Sequence, residues 1–170
     1  MTAVVVYAHP SEDSYTAAMR DAARRGLDAA RETVDLIDLW ADEFDPRRPE
    51  PLLTAGRHVD RLLNASTLVL VYPTWCSGQP AILTGWLAAL PADALRGIAR
   101  LVAVTAHGSS KWVNLLEGET GRRIVKHTLR RRCAPGARAE WHALYGIDRA
   151  DEARRTAFIA EVERALSRSR

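Results

Sequence analysis

Three stretches of the chain are continuously apolar and rich in β-branched residues: Ala3–Ala8, Thr67–Tyr72 and Leu101–Thr105. Such runs predict strands buried on both faces. Val34–Trp40 (VDLIDLW) instead alternates apolar and acidic positions, as an edge strand does. Arg138–Leu144 is the fifth expected strand. Helical spacing fills the intervals. Tyr15, Ala18, Met19, Ala22 and Gly26 fall on one helical face. Ile82, Leu83, Trp86, Leu87 and Leu90 line another, in a helix opening near Gln79–Pro80, where Pro80 suits a first turn. Gly121–Arg132 reads as a basic helix, and Phe158, Ile159, Val162, Ala165 and Leu166 give a closing helix its apolar side. Glu43–Gly56 holds Pro46, Pro49 and Pro51 and reads as a surface loop; His58–Asn64 follows as a short helix.

Strands and helices alternate along the whole chain, which predicts a parallel sheet with helices on both faces. About five βα units form one doubly wound α/β domain spanning 1–170, without repeats or low-complexity tracts. Composition agrees with a globular fold: 170 residues, 47% hydrophobic and 26% charged. The net charge of +3 and pI near 9.2 mildly favour anionic ligands. They are too small to argue for nucleic acid, and no recognition motif supports one. The two cysteines, Cys76 and Cys133, make no disulfide framework, so a reducing, cytoplasmic location is expected. No charged leader precedes an apolar region, and no apolar stretch is long enough to insert in a membrane.

In such sheets ligands bind beyond the carboxyl ends of the strands. The candidate segments are therefore AHPSEDSYT, YPTWCSGQP and TAHGSSKW. In the first, Ser11, Ser14 and Thr16 precede or open a helix, whose unpaired N–H groups and positive dipole end suit a phosphate. Ser14 alone also reads as a plain helix cap. No GxGxxG or GK[ST] is present, so neither a dinucleotide fold nor a P-loop is supported. His9 with Glu12 or Asp13 invites a metal reading, and AHPSED resembles the metal loop of zinc-dependent N-deacetylases. The acid that acts as general base there is replaced by Ser11, and His58, His107, His127 and His142 stand apart from one another. A catalytic zinc needs three protein ligands, so no metal is expected.

The second loop is specific. Pro73-Thr74-Trp75-Cys76-Ser77-Gly78-Gln79-Pro80-Ala81-Ile82-Leu83-Thr84-Gly85-Trp86 resembles the P-x-W-[WF]-x-x-P-A-I-L-K-G-W segment of flavodoxin-like NAD(P)H:quinone oxidoreductases. His9, Pro10, Ser14, Tyr15 and Ala18 match the opening of that family, and Asp38-Leu39-Trp40 with Phe44-Asp45-Pro46 match its second strand and the loop after it. The resemblance covers about Ala3–Thr105. It implies a flavodoxin-like three-layer α/β/α fold with a five-stranded parallel sheet in the order 2-1-3-4-5. It also implies an NAD(P)H-dependent flavin enzyme that reduces quinones or similar flat acceptors by two electrons in a ping-pong cycle. FMN is favoured over FAD, because one compact domain offers a phosphate site and no evident adenine site.

The resemblance places the flavin phosphate on Ser14, Tyr15 and Thr16, with His9 near the phosphate or ribityl chain. Pro73, Thr74, Trp75 and Cys76 line the isoalloxazine, and Thr105, Ala106, His107 and Gly108 cover its pyrimidine edge. In place of the family's T-T-G-G-like turn the chain has Thr105-Ala106-His107-Gly108, and the family's assisting Tyr and His have no clear counterpart. No catalytic side chain is assigned; His107 is the candidate, with a solvated loop histidine as the plainer reading. Cys76 reads as a pocket-shaping residue. The basic run Arg122, Arg123, Lys126, Arg130, Arg131, Arg132 reads first as a solvated face. Its alternative is a docking surface for nucleotide phosphates or an acidic partner. The family implies a homodimer. Two other functions remain open: an ancillary subunit docked on a potassium-efflux membrane transporter, and a flavodoxin-type electron carrier.

Overall fold

A computed structural model describes residues 1–47, 51–75, 78–116 and 118–168, and for 51–55 the backbone only. Five strands, β1 (Thr2–Tyr7), β2 (Thr33–Asp38), β3 (Thr67–Pro73), β4 (Arg100–His107) and β5 (Arg138–Tyr145), form one sheet. Its order is β2-β1-β3-β4-β5, and every pairing is parallel. The order reverses at β1, because the chain returns past it from the β2 edge to lay down β3, β4 and β5 on the other side.

The continuous apolar strands split by alternation into two cores. Val4, Val6, Leu68, Leu70, Leu101 and Ala103 face one layer, built from α2 (Pro51–Leu63), α3 (Ala81–Ala89) and α5 (120–132). Val5, Tyr7, Val69, Val71, Val102 and Val104 face the other, built from α1 (Tyr15–Ala29) and α6 (Glu152–Leu166). β2 is an edge strand, as its alternation predicts.

Several boundaries differ from the sequence reading. The last six residues of the expected 43–56 loop are helical: α2 begins at Pro51, a residue whose missing N–H costs nothing in a first turn. The predicted 58–64 helix is the second half of α2. The Pro49 part of that segment lies outside the described residues. Pro80 stands at the N-cap of α3, one position before its first turn. Ala18 is exposed on α1, whose buried face instead uses Thr16, Ala17, Met19, Ala22, Ala23, Gly26 and Leu27. The buried arc is wider because α1 packs on both the sheet and α6. The basic segment is not one regular helix. Thr120–Arg123 is α-helical, Ile124–Leu129 is a π-helical turn and Arg130–Arg132 a 3₁₀ turn. A short helix, α4 (Lys111–Leu116), was not anticipated.

Candidate functional site

The loops that leave β1, β3 and β4 meet at one edge of the sheet, because parallel strands put all their carboxyl ends on the same side. Each loop is held by its own hydrogen bonds.

In the first loop Ser14 caps α1: its Oγ accepts the Ala17 N–H at 3.1 Å and donates to the Ser11 carbonyl at 3.0 Å. Tyr7 donates its hydroxyl to the same carbonyl at 2.6 Å. The Ser11 N–H donates to His9 Nδ1 at 3.1 Å, the same nitrogen lies 3.2 Å from the Ser11 carbonyl, and Nε2 has no hydrogen-bond partner among the described residues. Ala17 and Ala18 spend their N–H groups on Ser14, so the N–H groups of Tyr15 and Thr16 are the orphan donors of this helix start. Thr16 is buried, and the Tyr15 hydroxyl turns to the Arg155 carbonyl near the start of α6, at 2.9 Å. Of the hydroxyls read as phosphate binders, Ser14 thus works as a cap and Tyr15 faces another helix.

One acid of this loop, Glu12, is engaged elsewhere. Glu12 pairs with Arg20 at 2.6 Å, and the Arg20 guanidinium lies 4.7 Å from the Tyr7 ring centroid. Among the described residues no group of three His, Cys, Asp or Glu side chains is placed to hold a metal.

The second loop extends the sheet before it turns. The Thr74 N–H donates to the Ala106 carbonyl at 2.9 Å, and Trp75 and Gly78 exchange N–H···O bonds at 3.1 and 3.0 Å. This small bridge presents the Trp75 ring half-exposed at the carboxyl edge. Cys76 lies outside the described residues. On the outer side of Trp75 a groove of about 600 Å³ runs against the loop after β2, walled by Trp40, Phe44, Pro46, Pro80 and Ile82. Gly85 allows that loop to lie on α3: a Cβ there would stand 2.3 Å from Pro46 Cβ. Asp42 pins the same loop. The Trp86 indole N–H donates to His58 Nδ1 at 3.0 Å, and His58 Nε2 donates to Asp42 at 3.0 Å.

The third loop corrects one expectation in detail. His107 is the last residue of β4 and is buried, at 5% exposure, so the solvated-histidine reading is excluded. Its ring stacks on Tyr145 with centroids 4.6 Å apart and planes 16° from parallel. Its Nε2 lies 3.3 Å from Thr74 Oγ1, which is 2.9 Å from Thr105 Oγ1. Burial holds the imidazole below its usual range, partly offset by Asn114 and the Glu119 carboxylate. Thr105 is fully buried, and Ala106 offers its carbonyl to Thr74. Gly108 is exposed, and a Cβ there would lie 2.7 Å from an Asp148 oxygen. Tyr145 donates to Glu119 at 2.9 Å, and Glu119 pairs with Arg122 at 2.7 Å. Sequence reasoning missed Tyr145 and Glu119. Only the β4–β5 register, which pairs His107 with Tyr145, reveals that they belong here.

The basic run splits into different tasks. Arg132 donates to the Leu87, Leu90 and Pro91 carbonyls at the end of α3. Arg130 donates to Ala137 and Arg122 pairs with Glu119. Arg123, Lys126 and Arg131 carry no carboxylate partner among the described residues.

In an open doubly wound sheet ligands bind at the carboxyl edge where strand order reverses, and the helix start, the aromatic loop and the buried histidine all stand there. The chain belongs to the family described as having a flavodoxin-like fold, whose model matches residues 1–90. A curated relative, an uncharacterised NAD(P)H oxidoreductase named YcaK from Escherichia coli, is 30% identical over 95 residues, 49% of this chain and 48% of the relative. The chain therefore spans about half the length of the curated relative it matches. Solved structures agree in fold. The protein Smu.1420 of Streptococcus mutans superposes with a TM-score of 0.86 at 22% identity, covering 98% of this chain and 99% of that one. An NAD(P)H:quinone oxidoreductase from Methanothermobacter marburgensis superposes with a TM-score of 0.84 at 21% identity, covering 98% and 94%. An FMN-dependent NADH-azoreductase of Bacillus anthracis, solved in complex with FMN, gives 0.72 at 16% identity, covering 98% of each chain.

Proposed function

We propose that the protein is an NAD(P)H-dependent flavin oxidoreductase that uses FMN and reduces quinones or similar flat acceptors. The observation that carries this reading is the convergence of the α1 start, the Trp75–Gly78 bridge and the β4 terminus on one edge of the sheet. The names of the relatives support it: NAD(P)H oxidoreductase, quinone oxidoreductase and FMN-dependent azoreductase.

The residues fit FMN at the phosphate end, because the Tyr15 and Thr16 N–H groups are unclaimed at a helix start and His9 keeps Nε2 open. Bound FMN would supply the hydride chemistry, taking a hydride from the nicotinamide and delivering it to the acceptor. The protein would hold the flat ring system by Pro73, Thr74 and Trp75 on one side and by Thr105, Ala106, His107 and Gly108 on the other. Cys76, on the same loop, belongs to this reading as well. Nicotinamide and acceptor would share the exposed ring face in turn, which gives ping-pong kinetics. A cytoplasmic homodimer is the assembly we favour, with three half- or fully exposed tryptophans, Trp40, Trp75 and Trp112, around the site edge to be covered. Among the described residues no helix is long and apolar enough to cross a membrane.

The test is direct. Purified protein is scanned for a flavin spectrum, reconstituted with FMN, then given NADH or NADPH without oxygen. Bleaching of the flavin band, and its return on adding a quinone, is expected. Protein that neither binds FMN nor oxidises either nicotinamide overturns the reading.

A further inference from the structure

His107 is a buried titratable group at the site edge that the hydride chemistry does not use. Its surroundings form a continuous line. Thr74 Oγ1 lies within hydrogen-bond reach of His107 Nε2, at 3.3 Å, and of Thr105 Oγ1, at 2.9 Å. Tyr145 covers the imidazole face, and its hydroxyl is fixed by Glu119, itself fixed by Arg122. Trp141 lies 6.2 Å from the same imidazole, centroid to centroid, and donates to the Tyr145 hydroxyl at 3.4 Å. Asn114 of α4 stands beside the ring, and Lys111 acts on Glu119 from a distance. Glu119 is held in place by its backbone too: it sits at φ 44°, a left-handed conformation that a non-glycine residue adopts at a cost, and its N–H donates to the Asn114 carbonyl. The line runs from Arg122, which is partly open to solvent, to a hydroxyl on the loop beside Trp75.

We infer that His107 is a positioning and proton-supplying residue that acts through the Thr74 hydroxyl, and that Tyr145 and Glu119 set its orientation and charge state. This rests on the flavin-oxidoreductase reading above. Reduction of a quinone by a nicotinamide requires one proton beyond the hydride, because the acceptor gains two electrons and two hydrogens while the nicotinamide loses one hydride. The Thr74 hydroxyl gives its proton to the acceptor oxygen. Imidazolium His107 gives its Nε2 proton to Thr74 Oγ1, so the hydroxyl is restored as the new O–H bond on the acceptor forms. Neutral His107 then takes a proton from water. Burial makes the imidazolium a stronger acid than a free one, so the relay runs on the ring once solvent has protonated it and is favoured as pH falls. The Glu119 carboxylate favours the imidazolium. The stacked Tyr145 keeps the ring plane from rotating Nε2 away from Thr74.

The experiment combines a pH profile of quinone reduction with an NMR titration of the His107 ring, the latter in FMN-free protein. The proteins are wild type, His107→Gln, Thr74→Val, Thr74→Ser, Tyr145→Phe and Glu119→Gln. In wild type, kcat is expected to fall above the pH at which the His107 ring titrates. His107→Gln and Thr74→Val should each lose about 10²-fold in kcat at low pH, the size of a general-acid contribution, with KM for the quinone little changed. His107→Gln should also lose the pH limb. Thr74→Ser should restore most of the rate. Glu119→Gln should move the NMR midpoint and the kinetic limb together to lower pH, and Tyr145→Phe, which keeps the stack, should cost less than His107→Gln. The relay is overturned if wild type binds FMN and turns over but its limb differs from the NMR midpoint. It is equally overturned if His107→Gln keeps the limb, or if Glu119→Gln moves neither. Wild type that fails to bind FMN or oxidise NAD(P)H overturns the flavin reading instead, and the NMR shift of Glu119→Gln still reports the coupling.

Discussion

Gly26 and Gly56 both lie inside helices, yet the same change to alanine is expected to act in opposite directions. In a helix interior alanine is favoured over glycine by about 0.8–1 kcal/mol. At Gly56, in α2, a Cβ would meet nothing within 4 Å among the described residues, so Gly56→Ala should stabilise by about that amount. At Gly26 a Cβ would stand 2.5 Å from the Glu163 carbonyl oxygen and 2.8 Å from Leu166 Cβ. Real Cβ contacts essentially never fall below 3.0 Å, so α6 must withdraw by about half an ångström from α1. The obstruction is backbone, which cannot rotate aside. Overpacking of a tight core costs about 1–3 kcal/mol, and a backbone obstruction belongs at the upper end. After the propensity gain, Gly26→Ala should destabilise by about 1–2 kcal/mol. For a chain of this size that lowers Tm by roughly 2–8 °C. Urea titration followed by circular dichroism, without added FMN, reads both variants. The midpoint should rise for Gly56→Ala and fall for Gly26→Ala, with the slope unchanged. A Gly26→Ala protein as stable as wild type would refute the argument that close α1–α6 approach requires glycine.

Ser14→Ala removes the cap of α1 and should cost about 1 kcal/mol, with a loss of FMN affinity measured by fluorescence titration. Burial holds the His58 imidazole below its usual range against the opposing pull of Asp42. The unfolded chain therefore binds that proton more tightly than the folded one. The His58 contribution is complete above about pH 6.5 and declines as pH falls from there toward the folded value. His58→Gln should flatten that part of the stability–pH curve measured by urea unfolding, and an unchanged slope would exclude His58 as its source. Arg132→Ala leaves the Leu87, Leu90 and Pro91 carbonyls without their shared donor. A loss of about 1–3 kcal/mol follows, with Arg132→Lys intermediate in thermal unfolding.

What the sequence determined by itself was the sheet and one half of the site. Continuous apolar runs rich in β-branched residues read as strands buried on both faces, so β1 and β3 were legible within a residue and β4 within two, and β2 announced its edge position by alternation. Ser14 before a helical face and the aromatic loop after Pro73 were legible because their signals are local. Tertiary structure decided the rest. Ala18 is exposed and Ala17 and Ala23 are buried because α6 chose the side of α1 it packs on, which no spacing within α1 records. Pro51 opens a helix although three prolines in the segment suggested a loop, because a first-turn proline forfeits no hydrogen bond. His107 reads as a loop residue in the string TAHGSS. It is buried because β4 runs one turn of pleat further than its apolar run and pairs with β5 up to Tyr145. That pairing joins residues 38 positions apart and brings Tyr145, with Glu119 on its hydroxyl, to the imidazole, while the β3–β4 pairing brings Thr74. A sequence records which groups are present near each loop. The register of neighbouring parallel strands decides which of them touch.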